Sequence, residues 1–380
     1  MLVGLAALSL AAWLWLVLFR GWFWLSGPTL PNPPPPLPPL HITAVVPARD
    51  EAEHIAAALR SLLAQPFPGE LHVIVVDDNS TDGTGNLARA IAADDQRLIV
   101  VAGEPLPPGW TGKMWAVAQG LRRPEAQSAD YVLLTDADIV HAPGHVAALI
   151  AQAAAEDLGL VSEMVQLRCN TFAERATIPA FVFFFQMLYP FRWVSNRTRR
   201  TAAAAGGTML VARKALKSVA GVDRIRDALI DDVALAQQIK AAGYGIWLGH
   251  AETARSQRRY PTFAEVWSMI ARTAYVQLRY SPFLLLGTCL GMLALYAVPV
   301  AAALAFPSPA PWLGTAAWLT MASIFQPTLR RYRCSPLWGL ALPAIAMFYV
   351  AATCGSAWRF YRGKGGQWKK RAYPATRAGD

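Results

Sequence analysis

The chain has 380 residues, of which 54% are hydrophobic and only 16% charged, with a formal net charge of +10. So apolar a composition excludes an ordinary soluble enzyme. The basic excess does not point to nucleic acid. Arg20, Arg279, Arg330, Arg331, Arg333, Arg359, Arg362, Lys364, Lys369, Lys370 and Arg371 all flank apolar segments, the pattern of a cytoplasmic membrane face.

Residues 2–19, "LVGLAALSLAAWLWLVLF", carry no charge and are long enough to cross a bilayer. They lack a basic leader and a small-x-small cleavage site, so they read as an anchor and not as a signal peptide. Arg20 follows them, which puts that end in the cytoplasm. "PTLPNPPPPLPPL" (28–40) is a stiff polyproline spacer.

Beyond the spacer, "HITAVVPA" (41–48) is expected to be a buried strand and "EAEHIAAALRSLLAQ" (51–65) a helix with an acidic first turn. "ELHVIVVDDNSTDGT" (70–84) is a second strand running into a turn. "GNLARAIAAD" is a helix, "RLIVVAG" (97–103) a third strand and "DYVLLTDAD" a fourth. Alternating strands and helices with continuously apolar strands imply an α/β fold on a mostly parallel sheet. Ligands of such sheets bind beyond the C-terminal strand ends.

Acids collect at those ends. Asp50 and Glu51 follow the first strand, Asp77 and Asp78 the second, and Asp136 and Asp138 the fourth. Two carboxylates at i and i+2 on a turn converge on one divalent cation, and hard oxygen ligands suit Mg²⁺ or Mn²⁺ with substrate phosphates. The competing reading is a turn of solvated acids. Carboxylates at the other ends suit hydrogen bonds from a ribose or base. "GWTGKMWAVAQG" (109–120) adds Gly112 for close backbone approach and Lys113 as a point charge for phosphate. In "RIRDALIDDVALAQQIKAAGYG" (224–245), Asp231 and Asp232 open a helix. They serve either the helix dipole or as a general base toward a hydroxyl nucleophile.

The stretch 176–193 has an uncharged run of sixteen residues with two prolines. If it spanned, Asp232 and Asp138 would lie on opposite sides of the membrane. It therefore reads as an interfacial helix or acceptor-channel wall, against the alternative of a buried core helix. From Tyr280 to Leu329 there are 50 residues without a charge, divided by "FPSPAP" (306–311), and Cys334 to Trp358 is uncharged too. If all these segments spanned, the basic stretch 362–371 would emerge outside, against the charge bias, so the last segment is expected to lie in the interface or re-enter. The four scattered cysteines show neither a disulfide framework nor zinc spacing. The chain thus divides into an anchor (1–20), a proline-rich linker (21–40), a catalytic-type α/β domain (41–275), C-terminal membrane segments (276–358) and a basic tail (359–380).

"VVPARDEAEHI", "VVDDNSTDGT", "GKMWAVAQG", "LLTDADI", "GGTMLVARKAL" and "IDDVALAQQIKAAGY" occur in that order. Together they resemble the inverting family-2 glycosyltransferases of the GT-A fold. The membrane layout resembles ceramide glucosyltransferase-like enzymes, and "LPPGWTGKMWA" looks most like the bacterial hopene-associated glycosyltransferases. The resemblance implies a GT-A domain in a multi-pass protein of the bacterial inner membrane, its catalytic domain cytoplasmic. It implies a nucleotide-sugar donor, expected to be a UDP-sugar, a lipid acceptor such as a hopanoid, and a hexosyl or N-acetylhexosaminyl transfer using Mg²⁺ or Mn²⁺. Pro47, Arg49, Asp50, Asp78, Lys113 and Asp136 would hold the nucleotide sugar. Asp138, with Asp136, would hold the metal. Asp232 would be the catalytic base, with Asp231 where that family usually has Glu. Of the family's Gln-x-x-Arg-Trp motif only Arg272 is kept, Met269 and Thr273 replacing the others, which argues against a long-polymer product. Arg272 would neutralise the leaving diphosphate.

Three other classes fit the sequence less well. Uncharged spans offer no polar pathway for a transporter. Intact acids at every motif disfavour an inactive membrane scaffold. A nucleotidyltransferase would share the sheet and metal but leaves the membrane segments and the Asp231–Asp232 pair without a role.

Overall fold

A computed structural model describes residues 2–32, 34–305 and 309–363, and the backbone of 367–368 and 371–372. Part of the expected 306–311 turn and most of the basic tail lie outside the described residues.

Eight strands form one sheet: β1 (His41–Ala48), β2 (Glu70–Asp77), β3 (Leu98–Ala102), β4 (Tyr131–Thr135), β5 (Ile139–His141), β6 (Leu158–Gln166), β7 (Thr208–Ala212) and β8 (Gly245–Ser256), in the order β3-β2-β1-β4-β7-β6-β8-β5. β1 to β4 are parallel, as expected. β7 runs antiparallel to both β4 and β6, β8 is parallel to β6, and β5 is antiparallel to β8. Six strands therefore point one way and two oppose them. The fold is a mixed, curled α/β sheet of the GT-A type with apolar helices attached. β1 is buried from its second residue onward because helices cover both sheet faces. Pro47 is tolerated in this central strand because β4 pairs only as far as Val45, so its missing N–H breaks no bond to that neighbour.

The segment expected at 176–193 is the helix Phe172–Leu188, opened by a capping box between Thr171 and Glu174. It separates two cores. Ile178 and Val182 pack into the sheet domain, while Ala180 and Phe183 pack with the apolar helices. Buried residues on both faces match the core-helix alternative.

Among the described residues, three helices are long and apolar enough to cross a membrane: Leu2–Phe19, Pro282–Ala303 and Trp338–Tyr361. Ala310–Ile324, expected as a fourth span, has only 15 helical residues. Trp13 ties the first helix to the second by a 2.8 Å hydrogen bond to the Leu295 carbonyl. The last helix lies along Phe263–Gln277 of the sheet domain. Phe348 packs on Phe263 and Trp267, Ser356 Oγ donates to the Ala271 carbonyl over 2.6 Å, and the Tyr275 and Tyr361 hydroxyls meet at 2.9 Å. Its first residue, Trp338, packs on Phe172. Both ends of this helix thus touch the sheet domain.

Candidate active site

A cleft of about 600 Å³ opens at the C-terminal edge of the sheet. Four elements supply its charged floor. β4 ends at Thr135 and releases Asp136 and Asp138 into the following turn. The helix Gly112–Leu121 contributes Lys113 from its first turn. A cation there is unfavourable for the helix dipole, so its carboxylate partners account for the placement. Lys113 Nζ lies 3.0 Å from Asp136 Oδ1 and 3.1 Å from Asp231 Oδ2. Burial works against the charge on Lys113, but Asp136 and Asp231 outweigh it and raise its pKa.

Asp231 and Asp232 open the helix Asp231–Ala241. Adjacent helical side chains diverge by about 100°, which predicts that only one faces the cleft. In the structure both line it. Asp231 turns to Lys113, whereas Asp232 accepts from the Gly206 N–H at 2.8 Å and from the Val233 N–H at 2.8 Å. Burial and the neighbouring charge of Asp231 push the Asp232 carboxyl up to about 7, against Lys113 and those two N–H groups.

Gly206 reaches Asp232 because β7 is antiparallel. Its start, not its end, lies at the ligand edge. A Cβ on Gly206 would come within 3.3 Å of Asp232 Oδ2 and 3.5 Å of Lys113 Nζ. The glycine therefore permits a close approach.

Asp138 is buried beside the other half of the sheet. Ser256, the last residue of β8, donates from Oγ to Asp138 Oδ2 over 2.5 Å. Arg258 Nη2 stands 3.5 Å from Asp138 Oδ1 and 2.5 Å from Glu51 Oε1. Sequence reasoning missed Ser256 and Arg258. The signal was present in "RSQRRY" (255–260), a polar run at the C-terminal end of a parallel strand.

The remaining wall mixes apolar and polar side chains. Phe181 and Phe185 of the Phe172–Leu188 helix face the cleft, as do Met269, Arg272 and Thr273 of Phe263–Gln277. The structure thus gathers Pro47, Lys113, Asp136, Asp138, Asp231, Asp232 and Arg272 around one cleft. Arg49, Asp50 and Asp78 form an adjoining cluster at the ends of β1 and β2. Arg49 donates to the Asp78 carbonyl, and Asp50 Oδ1 accepts from the Thr81 N–H at 2.9 Å. Asp50 takes φ of 49°, a left-handed conformation tolerated by Asp and held here by its N–H bond to Ser80 Oγ.

The donor set fits a hard divalent cation. Asp136 and Asp138 offer carboxylate oxygens from one turn. Among the described residues no group of three or more His, Cys, Asp or Glu is arranged as a metal cage. Mg²⁺ and Mn²⁺ are commonly held this way, by one or two carboxylates with substrate phosphates and water completing the shell.

The family model described as Glycosyltransferase like family 2 matches residues 38–275, more than half of the chain. A stretch of 98 residues is 32% identical to 4,4'-diaponeurosporenoate glycosyltransferase of Staphylococcus aureus, covering 26% of this chain and 24% of that protein. A stretch of 55 residues is 38% identical to succinoglycan biosynthesis protein ExoA of Rhizobium meliloti, covering 14% of this chain and 17% of that protein. The chain thus spans about a quarter or less of the length of these relatives. A mannosyltransferase from Pyrobaculum calidifontis, solved with GDP-Man and Mn²⁺, superposes with a TM-score of 0.63 at 21% identity, over 94% of this chain and 99% of that one.

Proposed function

We propose the following activity for this chain, which belongs to the glycosyltransferase-like family 2: it is an inverting membrane glycosyltransferase that moves a sugar from a nucleotide sugar, expected to be a UDP-sugar, to the hydroxyl of a lipid such as a hopanoid. The observation that carries the reading is the Lys113 bridge. It joins Asp136, on the turn that would face the donor diphosphate, to Asp231, whose neighbour Asp232 carries a buried carboxyl in the same cleft.

In this reading Asp136 and Asp138 hold Mg²⁺ or Mn²⁺. When bound, the cation neutralises charge that develops on the leaving diphosphate. Lys113 adds a cation already in place, and Arg272 adds a second from the opposite wall. Asp232 accepts the proton of the attacking hydroxyl, and its pKa near 7 matches that task. The anomeric bond to the diphosphate breaks as the bond to the acceptor oxygen forms on the opposite face, so a single displacement inverts the configuration. Pro47, Arg49, Asp50 and Asp78 bind the nucleoside at the neighbouring strand ends.

The aromatic wall of Phe181 and Phe185, continuous with the apolar helices, supports a lipid acceptor. The family resemblance implies a bacterial inner-membrane location, and the basic flanks support a sheet domain in the cytoplasm. The contact of both ends of Trp338–Tyr361 with the sheet domain supports an interfacial position for that helix, which keeps the basic tail on the same side.

The test is incubation of membranes with labelled nucleotide sugars and extracted lipids. Organic-soluble label with stoichiometric nucleoside diphosphate, and an inverted anomeric configuration, are expected. Release of pyrophosphate, or label confined to water-soluble products, would overturn the assignment.

A further inference from the structure

Arg258 lies outside the roles assigned above, yet it is the cation against Asp138. Both Asp138 oxygens are engaged. Oδ2 accepts from the Ser256 hydroxyl over 2.5 Å, and that hydroxyl in turn accepts from the Arg258 backbone N–H at 3.1 Å. Oδ1 faces Arg258 Nη2 at 3.5 Å. The same Nη2 lies closer, 2.5 Å, to Glu51 Oε1, whose side chain is only 7% exposed. Arg258 is thus shared between a long contact to Asp138 and a short one to Glu51.

The two contacts differ in consequence. A divalent cation approaching Asp138 needs an oxygen that is not already facing a positive charge, and Ser256 holds the other one. The guanidinium has an alternative carboxylate within reach of the same nitrogen, so leaving Asp138 does not leave it unpaired. A fork of several N–H donors suits such an exchange, because it can rotate onto one carboxylate as it releases another.

We propose that Arg258 is a positioning residue for the metal site, a built-in counter-ion that holds Asp138 until a divalent cation replaces it and then rests on Glu51. The inference depends on Asp138 being a metal ligand, as read above. It makes the strength of Mn²⁺ binding a function of Glu51, a residue that need not touch the metal.

The test is Mn²⁺ alone, titrated into detergent-solubilised full-length protein with the free ion followed by electron paramagnetic resonance. Arg258→Gln removes the competitor and is expected to tighten Mn²⁺ on the order of tenfold, the scale of one charge-assisted hydrogen bond. Glu51→Gln removes the resting place and is expected to weaken it by a similar factor. Simple charge effects have the same signs, so the double variant decides. If Glu51 acts through Arg258, Glu51→Gln has little effect once Arg258 is Gln. If the two changes add, they act independently and the inference is overturned. Unchanged or weaker binding by Arg258→Gln overturns it as well. Should Arg258→Gln not fold, Arg258→Met takes its place in the cycle, since it also removes the charge and keeps much of the apolar stem. Mn²⁺ binding by neither the wild type nor any variant would remove the metal assignment itself, a result distinct from wild-type binding that ignores Arg258.

Discussion

The backbone N–H of Gly206 donates to Oδ2 of Asp232 over 2.8 Å. That bond fixes one oxygen of the proposed base, while Oδ1 is held by the Val233 N–H. Both bonds favour the ionised carboxylate, yet burial and Asp231 outweigh them and leave its pKa at about 7. Only the ionised form can take a proton. The value of kcat/KM is therefore expected to rise through about pH 7 and to fall about tenfold per unit on the acid side. Asp231→Asn removes a charge that raises this pKa, so the acid limb should move to lower pH. A shift to higher pH in that variant would contradict the assignment.

Asp232→Asn keeps the shape of the side chain but cannot accept a proton. Donor binding should stay near normal while transfer falls by about 10²–10⁴-fold. Asp231→Asn should act differently, because it frees Lys113 on one side. Its expected effect is weaker donor binding with a smaller loss of kcat. Donor affinity and single-turnover rate, measured for both, separate the roles. A near wild-type rate for Asp232→Asn would exchange them.

Lys113→Gln removes the cation between Asp136 and Asp231 and leaves their charges facing each other. One preorganised donor to a developing anion contributes about 10²–10³ in kcat, and a loss of that order is expected. Because the same change leaves Asp136 and Asp231 without their shared cation, the melting temperature should also drop at neutral pH. Unaltered kcat with a lower melting temperature would make Lys113 purely structural.

Gly206→Ala places a methyl group 3.3 Å from Asp232 Oδ2, closer than ordinary contact. The carboxylate or the loop must then shift by a few tenths of an ångström. Small displacements of a catalytic group cost rate far more than stability. A fall in kcat of about tenfold with little change in melting temperature is expected. Full activity of this variant would show that the Gly206 contact does not position the base.

Asp138→Ala should abolish transfer while leaving expression intact, and excess EDTA should do the same to the wild type until Mg²⁺ or Mn²⁺ is restored. For orientation, a cysteine placed in "NSTDGT" (79–84) and another at Gly363 should both resist impermeant thiol reagents in intact cells and react after lysis. Labelling of the second alone would mean that Trp338–Tyr361 crosses the bilayer.

The acids at the ends of β1, β2 and β4 were legible in the sequence because each follows a continuous apolar run directly. A buried parallel strand advertises its own end, and ligands lie beyond that end. The three helices long and apolar enough to cross a membrane were legible for a similar reason, since absence of charge over a bilayer's length is a local property. The direction of β7 was not legible. A short buried strand has the same composition read either way, and only its pairing with β4 and β6 brings Gly206, at its start, to Asp232. The partners of Lys113 and Arg258 were hidden for the same reason. Asp136 with Asp231, and Asp138 with Glu51, come from elements far apart in the chain that meet only when the sheet curls and helices pack on it. Sequence placed the strand-end acids and Lys113 at an edge, because hydrophobic burial acts residue by residue. Tertiary packing decided which charge faces which, because ion pairing depends on distances that only the closed fold sets.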